Sequence, residues 1–187
     1  MTDLSRLRQQ AILRHAAGYI ELGELLVETD KPVPAAAQTL LLRALATLGE
    51  LPDSSRSMPA AQILAGEALR ALGRWQDALQ PLSEVVERAP QRLEAWLGLG
   101  WCLKRLGRLP EATDALRRGL ESSPQQAILH YNLACYLSLA GNSQSAIEHL
   151  AQAINLDSRY RELTEAEPDF NPIRSDPRFI AATHVTV

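Results

Sequence analysis

The chain has 187 residues, 46% of them hydrophobic and 22% charged, with a formal net charge of −3. That balance describes one globular domain or a short array of repeated units, and it excludes both a disordered chain and the basic stripe expected of a nucleic-acid binder. Aromatic residues make up only 5% while alanine and leucine abound, which favours closely packed helices over sheet, and two cysteines, Cys102 and Cys135, are too few to staple a chain of this length and read as reduced thiols inside helices.

In chain order, residues 4–15 extend a first helix that continues through YIELGELL, where Tyr19, Leu22, Gly23 and Leu26 fall at helical spacing. A second helix follows in AAAQTLLLRAL, with Ala37, Leu41 and Ala44 on one side, so residues 4–49 read as a helical hairpin. Arg14, His15 and Glu21 interrupt the apolar character of this N-terminal stretch, and no run of eighteen apolar residues occurs anywhere in the chain. The expectation is therefore a cytoplasmic protein without a membrane role. Proline, serine, aspartate and glycine concentrate in GELPDSSRSMP, which predicts a linker over residues 50–58.

Beyond the linker the sequence repeats. Gly73, Gly107 and Gly141 are spaced by 34 residues, and so are Ala78, Ala112 and Ala146, and Leu82, Leu116 and Leu150. A fixed step of this size marks a stacked array, with units at 59–92, 93–126 and 127–160. In the middle unit Trp96, Leu99, Gly100 and Leu103 share one face of a helix that closes near Gly107. Pro110 opens a second helix carrying Ala112, Leu116 and Leu120, which stops before Pro124. Gly100 and Ala112 are small enough to let the two backbones approach as an antiparallel hairpin.

The position of a residue within its unit predicts what it faces. With Trp96 at the centre of the core face, Leu97 and Trp101 lie about 100° to 140° round the helix, together with Glu94 and Lys104. Because the first helices of stacked hairpins line a concave surface, this second stripe is expected to look into a groove. The same offset in the flanking units selects Ile63, Glu67 and Arg70 on one side and Ile128, Tyr131, Cys135 and Ser138 on the other. The candidate groove is thus lined by Ile63, Leu97, Trp101, Tyr131 and Cys135 and edged by Glu67, Arg70, Glu94, Lys104 and Asn132, a mixture suited to a peptide or protein segment with apolar anchors. The alternative for Trp101 is packing beneath a neighbouring helix or the N-terminal extension. Trp75, at the start of a second helix, is expected to plug the seam between hairpins.

Trp96, Leu99-Gly100, Leu103, Ala112, Leu116, Gly119 and Pro124 resemble the pattern of a tetratricopeptide repeat, and three consecutive copies keep it. Gln62 and His130 replace the bulky first residue in two of them. The resemblance implies an all-α, right-handed superhelix of antiparallel helix hairpins: three regular units, a degenerate N-terminal hairpin with two extra residues in TDKPVP, and a capping segment over 161–187. That last segment, with Asp169-Phe170, Pro172 and Asp176-Pro177-Arg178-Phe179, resembles the terminator of many bacterial tetratricopeptide proteins. Leu163, Phe170, Ile173, Phe179 and Ile180 are expected to cover the last repeat helix. The lysines, asparagines and arginine with which co-chaperones of this family clamp a terminal carboxylate are absent: the matching positions hold Ile63, Leu64, Glu67, Glu94, Leu97, Gly98 and Trp101.

Catalytic chemistry finds no foothold. His15, His130, His149 and His184 show no metal-ligand spacing, no Cys-x-x-Cys or phosphate loop occurs, and Cys135 has no base near it in sequence. The expectation is a non-enzymatic adaptor with no cofactor and no metal, binding a protein or peptide partner. Two alternatives stand beside it. Bacterial type III translocator chaperones are similar in their acidic character and in a pattern like WLGLGWC, although the terminal segment is not part of that pattern. A self-associating scaffold, with the groove or first hairpin joining two copies as a homodimer, is the other.

Overall fold

The computed structural model describes residues 3–28 and 31–183, and His184 and the Thr29-Asp30 part of TDKPVP lie outside the described residues. Among the described residues every regular element is helical, which gives an all-α fold built from helix hairpins. None of these helices is long and apolar enough to cross a membrane. The chain divides into two compact units, Met1–Cys102 and Leu103–Val187.

The first unit contains α1 (Asp3–Glu24), α2 (Ala35–Gly49), α3 (Asp53–Arg56), α4 (Pro59–Ala71), α5 (Trp75–Arg88) and most of α6 (Leu93–Arg105). Ile12, Ala16 and Ile20 recur every four residues on α1, so they share the face that enters the core. Ile20 packs with Leu41 and Ala44 of α2 and with Ala68 and Ala71 of α4, joining the first hairpin to the next. The stretch expected to be a linker contains one helical turn, α3, because Leu51 and Ser55 find buried places and Pro52 presets the entry. A small residue sets the separation of α4 from α5. A Cβ on Gly66 would come 2.6 Å from a Leu82 methyl group, so α4 and α5 meet backbone to side chain there.

The second unit contains the end of α6 and then α7 (Leu109–Ser122), α8 (Ala127–Leu139), α9 (Ser143–Leu156), α10 (Arg159–Ala166), the short 3-10 helix η1 (Pro168–Ile173) and α11 (Pro177–Thr183). Leu133, Ala134, Cys135, Tyr136, Leu137 and Ser138 form an unbroken buried run on α8. A helix buried on all sides needs cover on all sides, and α7, α9 and η1 supply it. Phe170 is 0% exposed, and Ile173 and Phe179 are buried with it. Leu163 and Ile180, expected in the same cover, are exposed instead: α10 and α11 are too short to turn every apolar residue inward. Arg174 ties the segment together by donating to the carbonyls of Thr164 and Glu167, at 3.2 and 2.8 Å.

The 34-residue register is visible in the turns of both units. Gly73, Gly107 and Gly141 adopt φ of 74°, 74° and 78°, a region that favours glycine, and close α4, α6 and α8. The next residue's N–H, from Arg74, Arg108 and Asn142 in turn, donates 2.9 Å back to the carbonyl of Leu69, Leu103 and Leu137.

Candidate functional site

In the first unit the stripe of α4 and α6 assembles around two features. The first is a cleft of about 350 Å³ in which Leu13, Ala17, Ile63 and Leu64 provide apolar wall and Glu67, Arg92 and Glu94 provide charge. Glu67 is half-buried, and burial, followed by the nearby Glu24 carboxylate, raises its pKa above the ordinary carboxyl value of 4.5, against the pull of Arg70. Burial acts on Glu94 in the same sense, yet its own backbone N–H and the Arg92 guanidinium, 3.4 Å away, outweigh it and hold that carboxyl below the ordinary value.

The second feature is a stack ending on Trp101. The Arg70 guanidinium lies over the Trp101 ring at 5.3 Å from its centre while also pairing with Glu24 at the end of α1. From the other direction Trp75 meets Trp101 in a T-shaped contact, ring centres 6.1 Å apart at 81°. Trp101 is half-buried, and so is Leu97. Trp96, by contrast, is 2% exposed, and its indole N–H donates 2.8 Å to the Pro90 carbonyl. The two tryptophans of α6 therefore serve different faces. Cys102 is buried as well, and burial pushes its thiol up to about 11, far from a reactive thiolate.

In the second unit the corresponding stripe is covered by the chain itself. Tyr131 is 8% exposed, with the Tyr160 ring 4.8 Å and the Phe170 ring 5.7 Å from its own. Cys135 lies beneath the same segment. Burial first, then the carboxylates of Glu167 and Asp169, raise the pKa of its thiol, which favours the protonated form of a buried packing residue. Lys104 forms an ion pair with Asp169 and sits 5.3 Å from the centre of the Tyr136 ring. Asn132 turns its amide back onto α8, donating 2.8 Å to the Ile128 carbonyl. Thus the Asp169-Phe170 pair occupies the place where Lys104, Tyr131 and Cys135 were expected to meet a ligand. The polar partners Glu24, Arg92 and Asp169 are absent from the sequence-derived groove, because they come from outside the repeated stripe.

A further pair escapes the spacing argument. His130 and His149 approach Nδ1 to Nδ1 at 3.0 Å, and His130 Nε2 is 3.1 Å from the Pro124 carbonyl. A carbonyl only accepts, so His130 Nε2 carries a proton. In the neutral ring its Nδ1 is then the acceptor, and His149 donates from Nδ1. The signal is present in the repeat: His130 and His149 stand where the middle unit has Trp96 and Ala115, one large and one small residue exchanged for two of intermediate size. Among the described residues no cluster of three or more His, Cys, Asp or Glu side chains is arranged to hold a metal.

Comparisons with known proteins agree with this architecture. No curated protein matches the sequence. Several solved structures share the fold at low identity. A tetratricopeptide protein of Thermus thermophilus is 22% identical, with 93% of this chain and 87% of that one covered and a TM-score of 0.60. MamA of Desulfovibrio magneticus RS-1 is 20% identical, with 80% and 81% covered and a TM-score of 0.58. YrrB, described as a tetratricopeptide protein with an unusual peptide-binding site, is 23% identical, with 80% and 74% covered and a TM-score of 0.55. The tetratricopeptide repeat model matches residues 63–127 and 105–160, which together span more than half of the sequence. With the 34-residue step, the glycine turns and the paired helices already in view, the chain belongs to the tetratricopeptide repeat family.

Proposed function

We propose that the protein is a non-enzymatic adaptor whose first unit binds a peptide segment of a partner protein along α4 and α6. The observation that carries this reading is the cleft beside Ile63, with its apolar wall and charged rim. Arg70 and Trp101 extend it with a cation and an aromatic surface on the same stripe. Such pairs of apolar anchor and charged rim are the usual composition of a small recognition site. The peptide-binding site ascribed to YrrB, a protein of the same fold, supports the reading. The test is an overlay of a cellulose-bound array of acidic, basic and apolar peptides with wild type and with Trp101→Ala. Retention on a subset of peptides that Trp101→Ala loses while keeping its helical circular dichroism supports the reading. Equal retention by both proteins, or none by either, removes it.

A second reading is favoured by one observation. Leu4, Leu7 and Leu22 are exposed on α1, and Leu25 just beyond it is 81% exposed. Leu4 and Leu22 are eighteen residues apart, five helical turns, and so project along one edge of α1, with the exposed Arg8 and His15 between them. Self-association through this edge predicts a molar mass by light scattering that rises with concentration and returns to that of the monomer in Leu7→Glu.

A further inference from the structure

The two units offer the same stripe in two states, one sealed and one partly open. Lys104, Tyr131 and Cys135 of the second unit correspond, one 34-residue step earlier, to Arg70, Leu97 and Trp101 of the first. In the second unit the occupant is visible. The Asp169 carboxylate pairs with Lys104, and the adjacent Phe170 ring lies edge-on to Tyr131. Glu167 caps the segment by accepting from the Asp169 N–H at 3.1 Å, so the backbone turns sharply enough to deliver both side chains to one face. An acidic residue followed by an aromatic ring is therefore the chemistry that this stripe binds within its own molecule.

The first unit presents the same complement. Arg70 replaces Lys104 as the cation, and Leu97 and Trp101 replace Tyr131 and Cys135 as the apolar surface. Its cation is paired with Glu24, and both side chains keep substantial exposure, 29% for Arg70 and 39% for Glu24. A half-exposed ion pair of this kind is weak and can be exchanged for another carboxylate at small cost. Leu97 and Trp101 are half-buried where Tyr131 and Cys135 are sealed, so the apolar surface here keeps an accessible part.

We infer that the first unit takes an acidic-aromatic segment, an Asp or Glu immediately followed by Phe, from a different protein, with the carboxylate displacing Glu24 from Arg70 and the ring resting on Leu97 and Trp101. This rests on the adaptor reading above and names its ligand class. A second copy of the same chain is a poor donor, since Phe170 and Ile173 are wholly committed to their own α8. The ligand differs from the terminal carboxylate that the family's co-chaperones clamp, because here the side-chain carboxylate is the recognised group.

The probe is the blocked peptide acetyl-Glu-Pro-Asp-Phe-Asn-Pro-Ile-amide, the sequence of residues 167–173, titrated into the full chain. All three tryptophans, Trp75, Trp96 and Trp101, belong to the first unit, but Trp101 is three residues from Lys104 on α6, so binding at Arg70 is told from exchange of the native cap by its loss in Arg70→Met and its retention in Lys104→Met. The expected result is saturable quenching, weakened about 10-fold or more in Arg70→Met and by replacing the peptide's Asp with Lys or its Phe with Ala. Glu24→Gln removes the competitor and is expected to tighten binding, a gain that a merely structural role for Glu24 does not produce. Equal affinity for the Asp and Lys peptides, or unchanged affinity in Arg70→Met with native circular dichroism, overturns the inference. If Trp101→Ala nevertheless abolishes binding of basic or apolar peptides, the adaptor reading stands and only the ligand class falls. Failure of all three peptide classes at millimolar concentration removes both.

Discussion

Removing the ring of Phe170 tests whether the C-terminal segment is an integral part of the second unit. Phe170 is fully buried between Tyr131 and Phe179, with ring centres 5.7 and 5.5 Å away, and truncation to alanine in such a site costs ~3–5 kcal/mol. A repeat array need not unfold as one piece, so the loss is expected to appear first as local opening of η1 away from α8. Cys135, sealed beneath that segment, is the natural reporter. A fall of ~3–5 kcal/mol in the opening free energy raises the open population by about two to three and a half powers of ten. Pulsed alkylation read by peptide mass spectrometry should therefore show Cys135 of Phe170→Ala reacting at least ~100-fold faster than wild type, while Cys102, buried in the other unit, keeps its rate. Unchanged protection of Cys135, or equal acceleration of both cysteines, would refute the assignment of the segment as a local cover.

Trp96→Ala should cost ~3–5 kcal/mol by urea denaturation, because it empties a buried site and orphans the Pro90 carbonyl, whereas Trp101→Ala should cost only ~1–2 kcal/mol, the worth of one cation–π and one edge contact at a half-buried position. Gly66→Ala should destabilise by ~1–3 kcal/mol on the same assay, since its new Cβ meets Leu82 at 2.6 Å, and in combination with Leu82→Ala the total loss should be less than the sum of the two separate losses. Burial, then His130 and Arg117, hold the His149 pKa below its ordinary value of 6.5, so the unfolded chain binds the proton more readily than the folded one. Its contribution to stability is complete above that value and declines as pH falls through the folded pKa; thermal scans at about pH 7.5 and about pH 5.5 should show a loss on acidification that His149→Gln reduces.

Much of the molecule is legible from the repeat. The 34-residue step places the glycines at positive φ, sets the small residues at the close helix contacts, and separates Trp96 from Trp101 by face. These are properties of position within a unit, and periodicity reports position. A linker drawn over 50–58 misses α3, because turn-forming residues suppress the helical signal while Leu51 and Ser55 are held by tertiary burial. Taken singly, His130 and His149 carry no signal, and their pairing depends on two neighbouring helices, α8 and α9, that bring positions 19 residues apart together.

What periodicity does not report is cover. Tyr131 and Leu97 hold equivalent places, as do Cys135 and Trp101, yet one stripe is sealed and the other is partly open. The difference comes from segments outside the repeat: η1 brings Phe170 and Asp169 to α8, while α1 brings the Glu24 carboxylate to Arg70. A register predicts which side chains face a common direction, and the non-repeated flanks decide which of them remain available. In this chain the proposed recognition surface is therefore confined to the first unit by the same C-terminal segment whose chemistry describes what that surface is suited to hold.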